Sequence, residues 1–223
     1  MRPLRPTAAL LLLLSTGVAA GQGVHVVAPD PAHALAAAGL RAGDRLIAWE
    51  VMLPAGEIRR GEFDDVFDVF RVSTSLAPLG KPMLRIERGG ESLALQVPPG
   101  YWVAELAPAV PGHSRFEEAV EALGDPRTAT TGRTALERLL RETRDALDTA
   151  WYRHILAEAL RRDGDTAVAD AQTEQAVNAA LAVGETFAAG WLLQKAGIQY
   201  FGLGQAARGM ELLRRALGVW ESG

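Results

Sequence analysis

Apolar and polar residues alternate in four short stretches near the start of the chain: Val24-His25-Val26-Val27, Leu46-Ile47-Ala48-Trp49, Met83-Leu84-Arg85-Ile86-Glu87 and Leu93-Ala94-Leu95-Gln96-Val97. Successive side chains of a strand point to opposite faces, so this alternation predicts four strands, each with one face on a core. Between the second and third stretches the pattern changes. Apolar residues stand at 63, 66, 67, 70 and 76, the spacing of one helical face, and predict a helix from Phe63 to Leu76. A shorter helix is expected from His33 to Ala38, stopped by Gly39. Residues 98–115 carry four Pro and two Gly around Tyr101 and Trp102. That composition predicts a linker, over 100–115, lying against the first module. From Phe116 onward the period is helical throughout, with no strand signal. The expected organisation is an α+β domain over residues 21–99 and an all-α array over 116–223.

Composition narrows the chemistry. The 223 residues include 23 Lys and Arg, 27 Asp and Glu, four His and no Cys. Without Cys there is no disulfide, thiolate-bound metal, iron–sulfur cluster or thiol nucleophile. A net charge of −4 gives no footprint for nucleic acid, whose phosphates require clustered positive charge. Residues 1–20 stand apart: Arg2 and Arg5, an apolar run from Ala8 to Leu14, then Val18-Ala19-Ala20. This is the order of a secretory signal peptide with cleavage after Ala20, and the run is short of the roughly 20 residues needed to span a bilayer. The expected location is therefore periplasmic or secreted, with no membrane span after cleavage.

The most informative segment is PAHALAAAGLRAGDRLIAWE. Gly39 can end a helix in the left-handed region, Leu40 can fold back on the core, and Asp44 can bond local amides before the next strand. As a run, Pro31-Ala32 followed by Ala38-Gly39-Leu40-Arg41, Gly43-Asp44 and Leu46-Ile47 resembles a PDZ domain. Arg88-Gly89-Gly90 is similar to the hairpin turn before the last strand of that family. The order of elements resembles the circularly permuted PDZ domains of bacterial envelope proteases. The resemblance implies a groove in which a partner's C-terminal carboxylate rests on a Gly-rich loop while its chain adds a strand to the sheet. Gly21-Gln22-Gly23-Val24 holds the place of that loop, with Gln22 where the family has an apolar residue. Val24, His25 and Val26 would pair with the peptide backbone, and Phe63, Val66, Phe67 and Phe70 compete to line its pocket, with Val66 or Phe67 favoured. The alternative for the aromatic residues is the core, and for His25 a solvated strand edge. Trp49-Glu50 and the stretch VMLPAGEIRRGE depart from the family pattern and read as an added loop.

The helical part repeats. WYRHILAEALRRDGDTAVADAQTEQAV aligns with WLLQKAGIQYFGLGQAARGMELLRRAL, and Gly164 to Gly204 sets a period of 40. Leu156, Ala157, Leu160, Gly164, Ala169 and Ala176 in the first unit, and Gly197, Tyr200, Gly204, Leu213, Ala216 and Leu217 in the second, resemble tetratricopeptide repeats. The unit of that family is about 34 residues. Thr173 and Gly209 depart from its pattern, so a generic array of helical hairpins stays open. Thr134 to Leu147 reads as half of an earlier unit. Leu213, Leu217 and Trp220 form a candidate apolar stripe at the helical end, to be covered by a partner, by a second copy or by further chain.

The residues offer no catalytic arrangement. His25, His33, His113 and His154 lie in different elements without metal-ligand spacing, and no GxSxG elbow occurs. Asp64-Asp65 and Glu117-Glu118 read as helix-start charges, and Asp163-Gly164-Asp165 as an interhelix turn rather than a calcium loop. The function expected is a non-catalytic adaptor of the bacterial envelope or a secreted compartment that binds proteins or peptides without metal or cofactor. Two other readings remain: the regulatory N-terminal portion of a larger envelope enzyme such as a protease, and a scaffold whose groove is filled by the stretch around Tyr101 and Trp102.

Overall fold

A computed structural model describes residues 23–109 and 113–222; the expected signal segment 1–20, its cleavage point and Gln22 lie outside them. Six strands form one antiparallel sheet: β1 Val24–Pro29, β2 Arg45–Met52, β3 Ile58–Glu62, β4 Lys81–Arg88, β5 Glu91–Gln96 and β6 Ala104–Pro108. Their order across the sheet is β5-β4-β2-β1-β6. The long β2 pairs with β4 along its whole length, while β1 and β3 divide its other edge at Ala48. The four predicted strands are β1, β2, β4 and β5. The expected added loop is instead the β2–β3 hairpin, closed by Gly56 at φ 82° and a bond from the Leu53 amide to Glu57 O. Its charged sequence, Ile-Arg-Arg-Gly-Glu, lies on exposed backbone and carries no apolar alternation to reveal it.

Two helices complete this half. α1 is the single turn Ala34–Ala37, whose buried Leu35 accepts a bond from the Leu40 amide after Gly39 turns at φ 88°. α2 runs Val66–Ser75 and starts later than Phe63, because Asp65 caps it by accepting from the Phe67 and Asp68 amides at 2.7 and 3.1 Å. The AGLRAGD segment and the Arg88-Gly89-Gly90 turn, far apart in sequence, meet in an ion pair. Arg88 donates twice to the buried Asp44 carboxylate at 2.7 Å and once to Gly39 O at 2.8 Å. Burial pushes that carboxyl up, but the bonds from Arg88 and the Arg41 amide outweigh it and hold Asp44 below its ordinary value.

The remaining chain is helical: α3 His113–Gly124, α4 Ala129–Glu142, α5 Ala146–Arg162, α6 Thr166–Ala182, α7 Thr186–Gly202 and α8 Ala206–Ser222. They pack as three antiparallel hairpins. α5 to α8 are all 17 residues long. Gly164, Gly184 and Gly204 end the first three of them at φ 90°, 80° and 73°. In each case the next amide reaches back across the turn, Asp165 to Leu160 O, Glu185 to Ala180 O and Gln205 to Tyr200 O. The 40-residue period is thus two copies of one helix-and-turn unit. The expected half-unit from Thr134 to Leu147 is divided between two helices: α4 ends at Glu142, and Asp145 caps α5 through the Leu147 and Asp148 amides. Gly132 lets α4 approach the backbone of Ala119, Ala122 and Leu123 in α3, so the first hairpin is complete.

Candidate functional site

The edge of β1 that was expected to receive a peptide carries β6. The two strands are antiparallel, with Val24 opposite Pro108, His25 opposite Ala107 and Val26 opposite Leu106, and a bulge lies between Val26 and Ala28. Within the expected linker, Ala104–Pro108 is therefore a strand, and the sheet continues past Pro99 to Pro108. β6 is Ala-rich and ends in Pro, which β-propensity disfavours; an edge position tolerates a Pro because one face of its backbone needs no ladder bond. Neighbouring elements hold it. The Trp102 amide donates to Ser73 Oγ on α2 at 2.7 Å, and Trp151 on α5 donates from Nε1 to Leu106 O at 3.2 Å.

The expected groove residues are consequently internal. Gly23 turns at φ 71°, where an added Cβ would stand 2.8 Å from Leu46 O. Val24 and Val26 are fully buried, as are Phe63, Val66 and Phe67, and Phe70 is 7% exposed. Phe67 and Phe70 face the helical array: Phe70 stacks on Trp191 at 4.4 Å, and Phe67 meets Trp151 and Trp191 edge-on at 6.0 and 5.7 Å. His25 stacks on His113 of α3 at 4.0 Å. Burial, then the charges of His113 and Arg45, lower His25 to about 4, so it stays neutral near pH 7.

Sequence reasoning passed over a second place. Where β6, α2, α3, α5 and α7 converge, a cavity of about 390 Å³ is walled by Phe70, Trp102, Trp151 and Trp191, with His154, Glu158, Arg162 and Lys195 supplying its polar groups. The repeat does hold the signal, because Trp151 and Trp191 open the two aligned segments and project from equivalent positions. Burial holds His154 below its ordinary value, and its Nε2 lies 3.4 Å from Glu158 Oε1. Among the described residues no three His, Asp or Glu side chains form a metal-ligating group.

At the helical end, Leu213 lies against Gly197 and Trp220 against Gly190, so of the three stripe residues only Leu217 stands exposed, at 55%. No helix among the described residues is long and apolar enough to cross a membrane. No family model, curated protein or solved structure matches this chain.

Proposed function

We propose that the chain is a non-catalytic binding protein of a bacterial envelope or secreted compartment, in which a PDZ-like module joined to a tetratricopeptide-like array recruits protein or peptide partners. The reading rests on the seat of β6. An extended segment lies antiparallel on β1, beside α2, with Trp102 anchored to Ser73, which is the way strand addition captures a peptide. In this reading the groove takes extended chain by main-chain bonding and holds residues 104–108 of its own until a partner's C-terminus competes for the same edge. Ile198 and Phe201, one turn apart and both exposed on α7, offer the array a separate contact surface.

The test compares peptides with free and amidated C-termini by fluorescence anisotropy on the wild-type protein and on Ser73→Ala. That change leaves the buried Trp102 amide without an acceptor and loosens β6 by about 1–3 kcal/mol. Binding that requires the free carboxylate and tightens about tenfold in Ser73→Ala is expected. If no peptide binds either folded protein, the edge is a permanent part of the sheet and the peptide-binding reading fails.

A further inference from the structure

The cavity between the two halves is apolar at its walls, with charged groups at one end. Trp102 is 1% exposed, lines the cavity, and its indole Nε1 has no hydrogen-bond partner among the described residues. A buried N–H left unpaired is costly, and an indole can only donate. Lys195 stands with its Nζ 5.2 Å from the centroid of the Trp191 ring and has no carboxylate within ion-pair distance among the described residues. Arg162 likewise has no carboxylate partner there and donates only to Leu123 O, at 2.8 Å. The acidic groups are differently placed. Glu158 already accepts from Gln199 Nε2 and lies beside His154, while Glu105 is exposed on β6. Two cations, Lys195 and Arg162, thus line the cavity without a carboxylate partner among the described residues, beside the unpaired indole N–H of Trp102.

We propose that this cavity binds a small apolar carboxylic acid, its hydrocarbon or aromatic body among Phe70, Trp102, Trp151 and Trp191 and its carboxylate at the Lys195 and Arg162 end. A volume of about 390 Å³ lies in the range of small-molecule sites and is far too small for a folded partner. The carboxylate pairs with Lys195 and Arg162, and these charge-assisted bonds distinguish an acid from a neutral molecule of the same shape. Residues 101–106, Trp102 among them, also wall this cavity, so the ligand binds the form in which β6 is seated on β1.

Three tryptophans in the wall give the measurement its signal. Anilinonaphthalene sulfonate, an aromatic anion, is bound to the purified protein and then displaced with decanoate or with decanol, while tryptophan emission is followed. Decanoate is expected to displace the dye and shift the emission at concentrations about tenfold lower than decanol. Lys195→Gln, a change at a polar position that leaves the wall intact, should remove most of that preference while leaving decanol unchanged. Val120→Trp on α3 places a large side chain in the cavity and, where far-UV circular dichroism matches wild type, should abolish displacement by both. Equal affinity for acid and alcohol, a preference that survives in Lys195→Gln, or failure of both compounds to bind would each overturn the proposal. So would unchanged binding in a folded Val120→Trp protein.

Discussion

His25 shows how one side chain reports its place in the fold. In sequence it is a strand histidine open to either solvent or ligand; in the structure it is stacked on His113 and held neutral with its pKa near 4. Below the ordinary value of 6.5 the unfolded chain takes a proton that the folded chain refuses. The stability this histidine contributes is therefore complete above about pH 6.5 and is lost as the pH falls toward 4. Asp65 works in the opposite sense. Burial raises it to about 7, so the folded chain gains a proton first and is favoured as the pH falls. Because both act in one window, the informative quantity is the difference between wild type and His25→Gln in urea unfolding. From about pH 7 to about pH 4 wild type should lose about 1–2 kcal/mol relative to the variant, a full shift discounted for a side chain that is only half buried. A difference that stays flat would show that His25 is free to protonate.

Among the elements, the helical hairpins are set by a few glycines with separate tasks. Gly164, Gly184 and Gly204 turn the chain through the left-handed region, while Gly132 and Gly190 allow close approach within helices. Gly132→Ala separates the two effects. Alanine gains about 1 kcal/mol of helix propensity. Its Cβ would stand 2.7 Å from Ala119 O and 2.8 Å from Leu123 N, backbone atoms of α3 that cannot swing aside. The clash wins, and a net loss of about 1–3 kcal/mol is expected. Gly218→Ala on α8, with open space around the new methyl, is the control and should be neutral or slightly stabilising. Urea midpoints of the two variants decide; equal midpoints would mean that α3 and α4 do not pack closely at Gly132.

In the whole molecule the sheet and the helices share one aromatic seam. Phe67 and Phe70 on α2 interleave with Trp151 and Trp191, and Arg71 Nη2 reaches Glu185 at 2.5 Å. Such a seam predicts a single unfolding transition, with tryptophan fluorescence and far-UV circular dichroism coinciding. Phe70→Ala should cost about 3–4 kcal/mol. In a cycle with Trp191→Ala the pair should show a coupling of about 1 kcal/mol beyond the single losses. Two resolved transitions in wild type would show that the halves unfold separately.

Periodicity by itself determined the four amphipathic strands, a helix within Phe63–Leu76 and the glycine-punctuated helices, since each depends on residues close together in the chain. The turn at Gly39, Leu40 and Asp44 was legible for the same reason. The strand at Ala104–Pro108 was not. Five Ala- and Pro-containing residues have little strand preference of their own, and their conformation comes from the β1 edge, Ser73 and Trp151. The charged β3 was hidden likewise, its partner being what makes it a strand. Only the tertiary structure decided that the β1 edge is occupied, that Phe67 and Phe70 turn away from it, and that a tryptophan-walled cavity lies between the halves. All three depend on how two separately patterned surfaces meet, and local pattern carries no information about that meeting.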